Sequence, residues 1–209
     1  MIIKKYIYDL TTRILHAVIG ILVLVLFLTG KLAKNFYEYN DFRLLMWKLH
    51  ILFGYGLSLA FIYRLIWFFV GNEYAKLNNF IQLKELIRVI SKLEKPIWNF
   101  GHHPFAGLSY LFFYILIALI SFSGMFLLRI EHDQGPISVN YFDDMLLYAR
   151  FIELHDIASS LIIAFFLLHI VALFKHQKSD GVPIITSMKD GYQYKRLNGE
   201  SDEKNIISR

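Results

Sequence analysis

The chain has no cysteine, only four prolines among 209 residues, and charged side chains at 19% of positions. Without cysteine it cannot form a disulfide framework, a thiolate zinc site, an iron–sulfur cluster or a thioether-attached haem. Metal or redox chemistry is left to histidine, carboxylate or a cofactor held without a covalent bond. The charged fraction falls below the roughly 25% of soluble domains, while 56% of the residues are hydrophobic and 17% aromatic. A formal charge of +5 raises the question of nucleic acid, but a basic patch needs a soluble face to sit on.

What the chain has is long apolar runs. Four stretches reach the roughly 20 residues needed to cross a hydrocarbon core: residues 14–30, 44–70, 104–128 and 151–174. Each is too long for a buried strand, which predicts an all-α integral membrane four-helix bundle. Pro104 suits the first turn of the third helix. In the segment between spans two and three, Phe80, Leu83, Leu86, Ile87, Ile90 and Leu93 recur at helical spacing, with Lys84, Glu85, Arg88 and Lys92 between them. That pattern predicts an amphipathic helix, lying on the cytoplasmic membrane surface or against a partner subunit. Residues 1–176 form the membrane domain, and 177–209 are expected to be a polar cytoplasmic tail, loosely ordered near its end. Lys4, Lys5 and Arg13 before an apolar core resemble a secretory signal. The run is followed by Lys31-Leu32-Ala33-Lys34 and not by a small-residue cleavage site, so it reads as a retained anchor.

Four spans put both termini on one side. That side carries 16 Lys and Arg residues and the other 6, which predicts cytoplasmic termini in a bacterial inner membrane. With acidic residues included, the sides net about +7 and −2, so the overall charge reads as a topology signal. No nucleic-acid role is expected.

Four of the eight histidines lie within the spans: His16, His50, His155 and His169. An ionisable residue inside a membrane helix is costly and is a functional candidate by default; the bland alternative for any one of them is an interhelical hydrogen bond. Tracing the chain sorts them into two levels, His50 with His155 outside and His16 with His169 inside. The fourteen residues from His155 to His169 turn through roughly 1400°, about 40° short of four rotations, so both imidazoles project from nearly one face, roughly 21 Å apart. That separation suits two stacked cofactors and not one metal ion, whose ligands must lie about 2 Å from it. Gly20, Gly54 and Ser159 each follow a histidine by four residues and leave space beside it for a planar ring. Close helix packing also uses small residues, but it does not require their common phase with histidine. Two bis-histidine haems b are the best physical account. Arg13 and Arg64 are candidate partners for haem propionates, or snorkel to the inner surface. His102 and His103, in Gly101-His102-His103-Pro104, are either polar residues of an interface turn or a site near the inner haem for propionates or quinone protonation. His132 and His176 read as solvated.

On these residues the sequence resembles the four-helix dihaem cytochrome b subunits of membrane-bound nickel–iron hydrogenases, which are related to those of formate dehydrogenases and to small bacterial cytochromes b. The resemblance covers about residues 6–176: Arg13-Ile14-Leu15-His16, His50, the GHHP turn, and the His155/His169 pair. It implies that the four histidines ligate two haems b. Ala17 stands where the family often has Trp, and His103 where its turn commonly has Asn; neither change removes a ligand. The function expected is electron transfer between a periplasmic redox partner, such as a hydrogenase small subunit or a cytochrome, and the membrane quinone pool. The 129–152 loop, with Glu131, Asp133, Asp143 and Asp144 beside Tyr141, Phe142 and Tyr148, is either the docking surface for that partner or a solvated loop. Two alternatives stand beside this reading. One is a self-contained cytochrome exchanging electrons between quinone and a small oxidant or reductant. The other is a haem-free histidine-lined metal-ion transporter, weakened by the scarcity of carboxylates within the spans.

Overall fold

The computed structural model describes residues 2–35, 40–77, 87–88, 91, 104–132 and 145–196. In chain order the elements are β1 (Ile2–Tyr6), α1 (Leu10–Asn35), α2 (Asp41–Val70), α3 (Pro104–His132), α4 (Met145–Asp180), a single turn α5 (Ser187–Asp190) and β2 (Tyr192–Arg196). Helices α1 to α4 are the four spans, each long and apolar enough to cross a membrane. The protein is a multi-pass helical membrane protein. Most of the segment 80–93, expected to be an amphipathic helix, and residues 133–144 lie outside the described residues, as do His102 and His103.

All four helices overrun the apolar stretches at one or both ends, for local reasons. Asp9 starts α1: its Oδ1 accepts the Thr12 N–H at 2.7 Å and satisfies one of the orphan donors of the first turn. Asn40 does the same for α2, accepting the Arg43 N–H at 2.8 Å. Helix α4 continues past residue 174 through Asp180, because Lys175, His176, Gln177 and Lys178 tolerate helix as well as the span itself does. It stops at Gly181, whose φ of 62° is left-handed and whose N–H reaches the Gln177 carbonyl at 3.1 Å.

The chain forms two compact units, one of Met1–His16, Trp67–Gly107 and Leu167–Arg209, the other of Ala17–Ile66 and Leu108–Phe166. The second unit holds the apolar core. Ile19 and Val23 of α1, Leu57 of α2, Leu116 and Ile117 of α3, and Ile162 of α4 form one buried cluster. Phe113 stacks on Phe165 beside it, with ring centroids 4.8 Å apart. Large side chains such as Leu52, Leu59, Phe122 and Leu161 point away from that core and are exposed on the protein's own surface. In lipid such an outward face costs nothing, whereas in water it would be an aggregation patch.

The first unit contains a feature beyond the expected helices. β1 pairs antiparallel with β2, in register from Ile2 opposite Arg196 to Tyr6 opposite Tyr192. Part of the segment expected to be a polar tail is therefore tied to the N-terminus. Gly191 makes the corner: its φ is 84°, its carbonyl accepts the N–H groups of Ile7 and Tyr8, and a Cβ there would lie 2.6 Å from the Tyr6 ring. Only glycine supplies both the left-handed backbone and that clearance. On the other side of α1's start, Trp67 Nε1 donates to Asp9 Oδ2 at 3.2 Å and the Asn72 amide donates to the Ile7 carbonyl at 3.0 Å.

Candidate cofactor site

The structure places the four span histidines in two facing pairs. In the second unit, His50 of α2 and His155 of α4 have ring centroids 6.2 Å apart. In the first unit, His16 of α1 and His169 of α4 also have centroids 6.2 Å apart. A metal–imidazole bond is about 2.0–2.1 Å, so two imidazoles binding one metal from opposite sides set their nitrogens about 4 Å apart and their ring centres about 6 Å apart. Both pairs have that spacing.

The surroundings of the His50–His155 pair decide which nitrogen of each ring is available. His50 Nδ1 lies 3.1 Å from the Leu26 carbonyl and 3.3 Å from Thr29 Oγ1. A carbonyl only accepts, so Nδ1 carries the proton and Nε2 keeps its lone pair for a metal. The Thr29 hydroxyl spends its own proton on the Val25 carbonyl at 2.8 Å. His155 repeats the arrangement. Its Nδ1 lies 2.9 Å from Ser123 Oγ, which itself donates to the Ile120 carbonyl and so accepts from the ring. Ligating histidines are held in this way, by a carbonyl or hydroxyl on the nitrogen remote from the metal.

Each of those hydroxyl residues is followed by a glycine that touches the same ring. A Cβ on Gly30 would lie 3.1 Å from His50 Cε1, and one on Gly124 would lie 3.2 Å from His155 Cε1. The imidazoles of α2 and α4 thus press against the bare backbone of α1 and α3. Thr29-Gly30 and Ser123-Gly124 frame the candidate site, and periodicity along the histidines' own helices did not find them. The available signal was the repeat of a hydroxyl–glycine dipeptide in spans one and three.

Open space adjoins this pair. A cavity of about 310 Å³ is lined by both histidines together with Val23, Phe27, Gly30 and Ser159. A second, of about 90 Å³, is lined by both histidines and by Gly54, Ser58 and Ser121. Gly54 and Gly20 have nothing within 4 Å of the position a Cβ would take, so neither is a tight helix-packing contact. Ser159 turns its hydroxyl back to the Asp156 carbonyl at 2.9 Å.

Arg13, one turn before His16, donates from Nη1 to the Lys189 carbonyl, which ties the start of α1 to the segment before β2. Arg64 belongs to the second unit, where it is 4% exposed; its Nε donates to the Tyr114 hydroxyl at 3.2 Å and its guanidinium lies over the Tyr114 ring. His176 is exposed on the last turns of α4.

The donor set fits a haem better than a bare ion. Among the described residues no three His, Cys, Asp or Glu side chains come together as a metal cage. Each pair offers two imidazoles and leaves the other coordination positions to a group that brings its own planar donors. The apolar cavity and the bare glycine backbones suit such a flat ring.

Four helices long and apolar enough to cross a membrane, with two facing pairs of imidazoles, define a helical membrane protein with candidate cofactor sites. The family comparison names it more closely: residues 7–191 match the family model described as prokaryotic cytochrome b561, and the chain belongs to that family. It is a membrane b-type cytochrome of electron transfer, and its family binds haem b. No curated protein and no solved structure gives a significant match to the chain.

Proposed function

We propose that the chain is a dihaem membrane subunit that carries electrons between a periplasmic redox partner and the membrane quinone pool. The observation that carries the proposal is the pair of imidazole pairs, each with ring centroids 6.2 Å apart. His50 and His155 would hold one haem b, and His16 and His169 the other. Bound there, the haems supply reversible one-electron storage.

The protein's own part is ligation, orientation and exclusion of water. Leu26, Thr29, Ile120 and Ser123 keep Nε2 of the His50 and His155 rings free, and Gly30 and Gly124 set how far those rings lean. The excess of basic residues on the side of the termini supports cytoplasmic termini in an inner membrane, which puts His50 and His155 toward the periplasm. The partner we favour is a hydrogenase small subunit, docked on the acidic and aromatic segment 129–152, whose two ends are the last turn of α3 and the first turns of α4 rather than the loop expected there. Reduction of quinone to quinol takes two electrons and two protons. We assign His102 and His103 to the cytoplasmic proton supply, and Arg13 and Arg64 to haem propionates.

A reduced-minus-oxidised spectrum with haem-to-protein stoichiometry tests the reading. It requires two haems b per chain, with His155→Ala and His50→Ala removing one and His169→Ala and His16→Ala removing the other. Retention of both haems in any of the four variants overturns the pairing. His102→Ala and His103→Ala should slow quinone reduction at unchanged haem content, and the partner should copurify in mild detergent.

A further inference from the structure

The larger cavity beside His50 and His155 changes character along its length. The stripe of α1 that lines it runs Val23, Leu26, Phe27, Gly30, Lys31 and Lys34, all on one helix face. Its first four positions are apolar or bare, and its last two are cationic. Among the described residues no other Lys or Arg lines this cavity.

The two lysines differ. Lys34 Nζ is 2.6 Å from Asp156 Oδ2, so its charge is already compensated by a carboxylate that lines the same cavity. Lys31 lays its ammonium 5.7 Å from the Phe27 ring centroid, and among the described residues it forms no ion pair. A cation at the mouth of an apolar cavity near the membrane boundary favours an anion that is covalently part of an apolar ligand.

We propose that Lys31, with Lys34 beside it, binds the carboxylate side groups of the haem held between His50 and His155. This rests on the haem reading above and adds the cavity's polar end to it. An amphiphile with a flat apolar body and acidic substituents matches the stripe end to end: body against Phe27 and Gly30, acid against Lys31. Lys34 serves as a reserve, since Asp156 competes for it.

The test is a redox titration of the full-length holoprotein, following each haem by its visible bands. The oxidised haem carries one more positive charge than the reduced one, so a cation beside it favours reduction. Lys31→Gln should therefore lower the midpoint potential of one haem, the one lost in His155→Ala, and leave the other unchanged. Lys31→Arg keeps the charge and should restore the wild-type midpoint. Asp156→Asn removes an anion and releases Lys34, so the same midpoint should rise. Lys48→Gln removes an equal charge from an exposed α2 position that does not line the cavity, and should have no effect.

An unmoved midpoint in Lys31→Gln overturns the proposal, as does a shift of equal size in Lys48→Gln, which would reveal a diffuse surface field. Loss of haem in Lys31→Gln but not in Lys31→Arg supports it. If His155→Ala keeps both haems, the haem reading of the site fails and the proposal with it. If His155→Ala loses one haem while Lys31→Gln leaves every midpoint in place, the carboxylate assignment alone fails.

Discussion

Gly54 separates two explanations of the small residues in the spans by the sign of one measurement. It sits one turn after His50, and a Cβ built there meets nothing within 4 Å. The cavity of about 90 Å³ that it lines is empty of protein atoms. In Gly54→Leu the new Cβ meets no neighbour, and the rest of the side chain extends into that space. At about 24 cal/mol per Å³ for an enclosed cavity, and with this space partly open, filling it stabilises the cofactor-free protein by at most about 2 kcal/mol. Replacing a mid-helix glycine contributes a further ~0.5–1 kcal/mol. The cofactor-free variant should therefore be more stable than the cofactor-free parent, by up to about 3 kcal/mol. The same leucine occupies the space beside His50, so haem content should fall. A glycine needed for close helix approach predicts the reverse, a variant destabilised with or without cofactor.

The assay is thermal unfolding in detergent, followed by tryptophan fluorescence, on protein made with and without haem supply, together with haem stoichiometry from difference spectra. The expected outcome is a raised midpoint in the cofactor-free form and a loss of one haem in the supplied form. A variant that keeps two haems, or a cofactor-free variant that melts below its parent, would refute the argument.

Ser123→Ala removes a hydroxyl from His155 Nδ1 and should weaken binding of that haem by about 10–100-fold, or about 1.4–2.7 kcal/mol, read by competition for haem with an acceptor protein; unchanged affinity would refute a role for the hydroxyl in holding the ring. Gly124→Ala places a methyl 3.2 Å from His155 Cε1 and should distort the ligand field, visible as a shifted or broadened spectrum at nearly full haem content. The β1–β2 pairing should respond to pH at both extremes. The Tyr194 hydroxyl and Tyr192 N–H hold the Asp190 carboxyl below its ordinary range, and the Asp190 carboxylate pushes the Tyr194 phenol up. The depressed Asp190 value gives stability that is present above its unfolded pKa of about 3.9 and lost as pH falls further. The raised Tyr194 value gives stability that is present below about pH 10 and lost as pH rises through the folded value. Protection factors of the β2 amides, taken relative to the intrinsic exchange rate at each pH, should be flat between those limits, and Asp190→Asn should abolish the acid limb.

The spans and the histidines were legible because each signal is local. Twenty apolar residues in a row state their own length requirement, and an imidazole among them is conspicuous whatever its partner. The pairing was legible because four crossings and helical rotation are arithmetic. The strands were not. Ile2–Tyr6 and Tyr192–Arg196 have no clean alternation, and their pairing joins opposite ends of the chain through Gly191, which no local pattern announces. The extension of α4 to Asp180 was hidden because polar residues leaving a membrane remain good helix formers.

The cradle around His50 and His155 was missed for a more instructive reason. Periodicity within α2 and α4 identifies neighbours of a ligand on its own helix, and it pointed to Gly54 and Ser159. The residues that fix the rings come from α1 and α3, and which of them face a histidine depends on the axial offset between helices. Thr29 and Ser123 hold the remote nitrogens, while Gly30 and Gly124 set the distance of approach. A ligand's own helix can therefore supply the metal-binding atom and the room for the ring, but the tautomer and tilt are set by the helix opposite. The same division assigns risk: substitutions at Gly54 should act on whether haem enters, and those at Ser123 or Gly124 on how it is held once inside.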